Sequence, residues 1–250
     1  MKNSDVIIRG GLGNQIFGLL QAYRILLSDN NRVSLNLTDF SFLKRVDRQF
    51  LLDKLYPNLK NEFKSNNKIF SFILYFYARF LEKFFLSTPK DRIPGDKAFK
   101  ANFLNFYKIS CGYFQKIDNS KLDNKALNLL IARLQPYLKK DVINYLAIHL
   151  RRGDYISFMH NSHGVIAEKY LFQEAKKLMK ICNFDGITIF SDSPELIDID
   201  MFKSLKTKII IDRGGDTLEV FRRMINHRGL IASNSTFSLW AGIIGEVEFF

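Results

Sequence analysis

The second half of this chain alternates short apolar runs with helical periods, and that alternation restricts its fold more than any other feature. Tyr145-Leu146-Ala147-Ile148 has the character of a buried strand and runs into His149-Leu150-Arg151-Arg152-Gly153-Asp154-Tyr155. Beyond it the periods predict a helix over 168–180, a strand over 186–190, a strand over 208–211, a helix over 217–226, a strand over 229–232 and a helix over 237–244. Apolar runs separated by helix-length stretches require crossovers, so the strands should be parallel and the class α/β.

The chain opens with a related unit. Asp5-Val6-Ile7-Ile8-Arg9 reads as a strand and Gly10-Gly11-Leu12-Gly13-Asn14 as a tight turn. Ile16, Leu19, Leu20, Tyr23 and Leu27 then recur at helical spacing from Gln15 onward, and 32–37 reads as a second strand. Residues 40–106 read as helices and loops broken at Pro57, Pro89 and Pro94. A strand is expected at 106–111, before Gly112-Tyr113-Phe114-Gln115, and a helix at 123–138 crosses between two halves. The division is placed near residue 130, giving units 1–130 and 131–250.

Composition narrows the partners. The chain carries 37 Lys and Arg against 25 Asp and Glu, net +12, which favours an anionic ligand: nucleic acid, an anionic membrane surface or a phosphorylated small molecule. The lysines are dispersed and no nucleic-acid motif accompanies them. Cys111 and Cys182, far apart, give neither a disulfide framework nor zinc spacing, and fit a reducing, cytoplasmic setting. No signal-peptide layout opens the chain. The apolar run at 70–78, followed by Arg79, Glu82 and Lys83, is too short to span a bilayer and suits a core or an interfacial helix.

Four segments can carry chemistry. Arg151 and Arg152 at a strand's carboxyl end present planar forks that fit phosphate oxygens in pairs, or else are solvated charges on a loop. Gly10 to Gln15 lets backbone approach a ligand, with Asn14 and Gln15 supplying amides. It is neither a dinucleotide fingerprint, since Ile16 stands where the third glycine belongs, nor a P-loop. Ser191-Asp192-Ser193 ends another strand, where Asp192 could accept from a ribose or base, while Ser193 before Pro194 is also a helix-start signal. Asn234-Ser235-Thr236 follows a strand and opens a helix, a site for an anion or simply a cap. Asp198-Ile199-Asp200 matches the short acidic signature of metal-dependent sugar transfer but lacks acidic or glycine-rich company. His149, His160, His163 and His227 lack ligand spacing.

Taken together, residues 8–17, Gly112-Tyr113-Phe114-Gln115, residues 149–155, His163-Gly164-Val165 with Tyr170, Phe190-Ser191-Asp192 and residues 231–240 resemble, in order, the signatures of the α-1,2-fucosyltransferase family, glycosyltransferase family 11. The resemblance covers residues 8–242 apart from roughly 40–105. It implies a GT-B-like fold with two Rossmann-like halves facing a cleft. The first half would be the acceptor side and the second would hold a GDP-sugar. It further implies inverting, metal-independent transfer from GDP-β-L-fucose to a galactose-type 2-hydroxyl of a bacterial glycan such as O-antigen. The acceptor would be a galactose-terminated glycan or a lipid-linked oligosaccharide. No cofactor is implied, and neither is nucleic acid. Peripheral contact at the inner face of the membrane would suit the charge and the 70–86 segment. A related GDP-6-deoxy sugar such as colitose, or an inactive sugar-nucleotide-binding protein, are the alternatives.

Carried over by position, the resemblance puts Arg151 on the β-phosphate with Arg152 beside it. His149 and Asp192 go to guanine or ribose, and Asn234, Ser235 and Thr236 to the pyrophosphate. Gly11, Gly13, Asn14 and Gln15 face the sugar and acceptor. Asp154, then His163, are candidates for the base, and Asp154 could equally hold the arginine loop. Three departures stand out: the second half is short of a further strand and closing helix, Leu239-Trp240 replaces a Trp pair, and 40–105 lacks signatures. Acceptor choice is expected within 40–105 and 155–165.

Overall fold

The structure, a computed structural model, describes residues 3–29, 32–41, 49–64, 66–85, 99–103, 107–115, 117, 120–138, 141–152 and 166–248. The chain separates into two compact units, residues 1–134 and 135–250.

The first unit is built on a four-stranded sheet, β1 (Asn3–Ile7), β2 (Arg32–Asn36), β3 (Phe99–Phe103) and β4 (Tyr107–Cys111), in the order β2-β1-β4-β3. β1 is parallel to β2 and β4, and β3 adds an antiparallel edge. The strand β3 lies in the stretch expected to hold only helices and loops. Helix α1 (Leu12–Asp29) follows β1, and the short helices α2 (Thr38–Ser41), α3 (Leu52–Leu55) and α4 (Leu59–Glu62) precede the long α5 (Lys68–Phe85). Successive strand residues face opposite sides. Ile7 packs with Leu74, Tyr75 and Ala78 of α5, whereas Ile8 abuts Gly18 of α1. The sheet is therefore covered on both faces. Helix α6 (Lys121–Leu138) closes the unit, tied to α1 by the Arg24–Asp123 pair at 2.5 Å.

The second unit holds a wholly parallel sheet of β5 (Ile143–Leu150), β6 (Gly186–Ser191), β7 (Lys208–Ile211) and β8 (His227–Ile231), in the order β7-β6-β5-β8. The parallel sheet expected for this half is the one observed. Helix α7 (Glu168–Ile181) and the short α8 (Ile199–Lys203) cover one face, where Leu146, Ile148, Leu150, Ile187 and Ile189 meet Leu171, Ala175 and Phe202. On the other face Phe221 of α9 (Thr217–Ile225) meets Phe237 of α10 (Thr236–Gly245), and the Phe237 ring lies against His149.

Local chemistry explains several boundaries. Helix α1 begins at Leu12 rather than Gln15: only Gly10 adopts a left-handed φ of 80°, and Gly11 O already accepts from Gln15 N. Gly13 and Asn14 are thus first-turn residues, not loop. Asp198 caps α8 by accepting from Met201 N, and Asp200 pairs with Lys203. That helix-start chemistry accounts for the Asp-x-Asp pattern. Ser193 does not cap the turn at Pro194–Leu196; its own N–H donates to Ser191 Oγ. Among the described residues, no helix is long and apolar enough to cross a membrane.

Candidate active site

In open α/β sheets ligands bind beyond the carboxyl ends of the strands, where the winding reverses. The second unit winds from β5 outward through β6 to β7 and returns to place β8 on the other side of β5. Its reversal lies between β5 and β8. Leu150, Ser191 and Ile231 end β5, β6 and β8 at one edge, bringing Arg151, Asp192 and Ser233 to Thr236 together.

The two arginines have different surroundings. Arg152 is buried: Nη1 donates to Ile166 O (3.0 Å) and Arg151 O (3.3 Å), and Nη2 lies 3.4 Å from Glu168 Oε1. Expected beside Arg151 on the phosphate, it instead fastens the carboxyl end of β5 to the start of α7. Arg151 keeps about a third of its side chain exposed, and its Nε lies 3.2 Å from Asp192 Oδ2. Asp192 Oδ1 also accepts from Arg152 N at 2.7 Å. Asp192, expected at guanine or ribose, remains exposed, and each of its oxygens also has a partner at the arginine turn, where it positions Arg151. Strand alternation accounts for the split. Arg152 continues the Ile148 and Leu150 side toward α7, and Arg151 continues the His149 side.

His149 is buried, with Nδ1 2.8 Å from Ser233 Oγ. Burial, with the Arg151 charge beside it, pushes its pKa down to about 4, so the imidazole is neutral near pH 7. It bridges the ends of β5 and β8. Ser235 caps α10, its Oγ accepting from Phe237 N, and Thr236 opens the helix with Asn234 exposed before it. The first amides of α10 and its positive dipole end therefore lie at the same edge as Arg151.

One further feature of this edge was not singled out from the sequence. Arg223 grips Asp212 through two bonds (2.7 and 2.9 Å) and donates to Gly214 O (2.8 Å), shaping the glycine loop after β7. The Asp212–Arg223 spacing carries no motif that sequence reading could use.

In the first unit the winding reverses between β1 and β4. The two sequence signatures ending those strands meet there. The Arg9 guanidinium lies 4.4 Å from the centre of the Tyr113 ring, and Gln115 Nε2 donates to Asn14 Oδ1 (2.9 Å). A Cβ on Gly10 would fall 2.9 Å from Asn14 Nδ2 and 3.2 Å from Tyr113. Gly11 is exposed and has open space, whereas Gly13 is buried. Gln15, expected at the sugar, is instead fully buried and engaged. Nε2 donates to Gly10 O and Gln49 O, and Oε1 accepts from Leu51 N. It holds the turn closed. Arg9 donates twice to Glu82 of α5 (3.1 and 2.8 Å), which also pairs with Arg79. Burial raises the Glu82 carboxyl, but the two arginines outweigh it and hold it below its ordinary range.

Asp154 and His163, the two candidate bases, lie outside the described residues. Among the described residues, no three His, Cys, Asp or Glu side chains gather as metal ligands.

The sequence model of a family described as Glycosyl transferase family 11 matches residues 5–247. An alpha-1,2-colitosyltransferase of Escherichia coli is 27% identical over 255 residues, covering 93% of this chain and 84% of the relative. The O-antigen biosynthesis glycosyltransferase WbnK of Escherichia coli is 25% identical over 276 residues, covering 96% and 90%. Among solved structures, POFUT1 in complex with GDP-fucose aligns with a TM-score of 0.50 at 11% identity, over 97% of this chain and 93% of that one. That likeness carries the fold, which is GT-B-like and α/β.

Proposed function

The chain belongs to glycosyl transferase family 11 and is a glycosyltransferase, and from that premise we propose that it is an inverting α-1,2-fucosyltransferase. L-fucose passes from GDP-β-L-fucose to a galactose-type 2-hydroxyl of a bacterial glycan such as O-antigen. The acceptor is a galactose-terminated glycan or a lipid-linked oligosaccharide. The second unit holds the donor and the first receives the acceptor. The observation that carries this reading is Arg151, steered by Asp192, at the winding reversal that also bears the N-terminus of α10.

In the transfer the acceptor oxygen bonds to C1 of the sugar from the face opposite the diphosphate. The C1–O bond to the β-phosphate breaks, and GDP leaves carrying the bonding pair. Negative charge develops on the departing phosphate, and a fixed guanidinium with helix amides stabilises it without a metal ion. Arg152 and neutral His149 hold the strand ends that present these groups. The hydroxyl proton goes to a base, for which Asp154 and then His163 are assigned. In the first unit Gly11 and Asn14 bound the sugar and acceptor. A second reading keeps the chemistry and changes the donor to GDP-colitose, favoured by the likeness to the colitosyltransferase. An arginine on the diphosphate does not distinguish the two sugars.

The test is GDP release in EDTA with a galactose-terminated acceptor and each donor in turn, for the wild type and Arg151→Ala. Turnover with GDP-fucose that resists EDTA and is lost in Arg151→Ala is expected. Turnover with GDP-colitose alone selects the second reading. GDP binding without turnover from either donor indicates a sugar-nucleotide-binding protein, and absence of GDP binding overturns the assignment.

A further inference from the structure

Helix α5 has two apolar sides. Leu74, Tyr75 and Ala78 are buried against the first unit's sheet, as expected of a core helix. The opposite side carries Ile69, Phe72, Ile73, Phe76 and Phe80, which remain 71, 37, 47, 45 and 58% exposed. Their spacing of three and four residues draws one continuous stripe about 17 Å long, at about 1.5 Å of rise per residue. Isolated exposed apolar residues are ordinary; five aligned on one helix mark a contact surface.

The charges around the stripe select its partner. Lys68, Arg79 and Lys83 are exposed along one margin of it. Glu82, the single carboxylate of α5, is turned to Arg9 and Arg79. The outward face thus combines aromatic and aliphatic side chains with cations and offers no carboxylate of its own, in a chain of net charge +12. Two such faces brought together from two copies would oppose cation to cation. An anionic bilayer surface complements both features, because the apolar face enters the headgroup boundary while the cations stay among anionic headgroups.

We propose that the Ile69–Phe80 face of α5 docks the protein onto anionic phospholipid, lying in the plane of the interface. Docking is a property of this face and stands without the transferase reading. Its consequence, that acceptors on lipid carriers are met at the bilayer, rests on that reading.

The experiment is flotation of the full chain with vesicles of phosphatidylcholine alone or mixed with phosphatidylglycerol, alongside GDP binding on the same samples. Co-flotation with the anionic vesicles, at least about ten-fold weaker on the neutral ones, is expected. The triple variant Phe72→Ser, Phe76→Ser, Phe80→Ser should lose co-flotation about ten-fold while keeping wild-type GDP binding. Lys68→Glu with Lys83→Glu should lose the preference for anionic vesicles and leave the helix core untouched. Failure of the wild type to float, or flotation of both variants equal to that of the wild type on anionic vesicles, overturns the proposal. So does a concentration-dependent dimer that the triple variant disperses in the absence of lipid binding. Vesicle binding without GDP binding would leave the docking face standing and remove the transferase reading.

Discussion

Arg151 and Arg152 are adjacent and chemically identical, yet one step of strand alternation separates their tasks. On the proposed reading, Arg151→Ala removes a charge-assisted contact to the diphosphate, a kind of contact typically worth about 1.5–3 kcal/mol. GDP affinity measured by calorimetry should fall roughly 10–100-fold, with the melting temperature little changed. Arg152→Ala should do the reverse. It leaves the Ile166 carbonyl without this donor and the Glu168 carboxylate with only the Asp198 N–H among the described residues, and breaking a buried pair costs up to about 3–5 kcal/mol, so the loss should appear in urea unfolding. A larger loss of GDP affinity than of stability in Arg152→Ala would contradict this division. Asp192→Asn keeps the acceptor for Arg152 N but loses the charge facing Arg151; GDP should bind several-fold more weakly. Nothing in the sequence marked this asymmetry. The motif announced that arginines stand at a strand end, but the choice of which one is buried depended on where α7 lies.

At the scale of elements, the turn from β1 into α1 is the most tightly constrained. Gly10→Ala combines a left-handed φ with a Cβ 2.9 Å from Asn14 Nδ2. It should lower stability by about 1–3 kcal/mol in thermal melts. Strand β1 also buries Asp5, whose carboxylate accepts from Asn36 and Asn66. Burial outweighs these bonds and lifts its pKa from 3.8 to about 7. Between those values the folded chain holds a proton that the unfolded chain has released, so this group makes stability fall as pH rises. The slope is at most about 1.4 kcal/mol per pH unit. His149 acts oppositely. Its pKa drops from 6.5 to about 4, the unfolded chain binds the extra proton, and stability rises with pH across that window. Comparing the wild type with Asp5→Asn isolates the first effect. The variant should be relatively less stable than the wild type at the acid end and gain on it toward neutral pH. An unchanged difference across the window would refute the assignment. The strands and helices of the second unit were legible because each follows a local period. The strand β3 was not: Phe99-Lys100-Ala101-Asn102-Phe103 does alternate, but over only five residues within a stretch rich in Phe, Lys and Asn, and its antiparallel pairing with the neighbouring β4 is what makes it a strand.

At the scale of the molecule, two sheets each reverse their winding, and each reversal gathers a sequence signature at one edge. Hydrogen exchange with and without GDP should therefore show protection concentrated at the ends of β5, β6 and β8, around residues 149–152, 190–193 and 232–238. Protection centred elsewhere in the second unit would move the donor site. Sequence by itself determined the α/β class, the parallel sheet of the second unit, the order of its strands and helices along the chain, and which residues stand at strand ends. These depend on period and turn chemistry, which act over a few neighbouring residues. Only the tertiary structure decided that Gln15 closes a turn, that Arg9 reaches Glu82 across 73 positions of sequence, and that Asp192 pairs with Arg151. Those outcomes depend on strand order and on which helix covers which face. Both are settled by the burial of distant apolar surfaces against one another, a sum over the whole unit that no short segment carries.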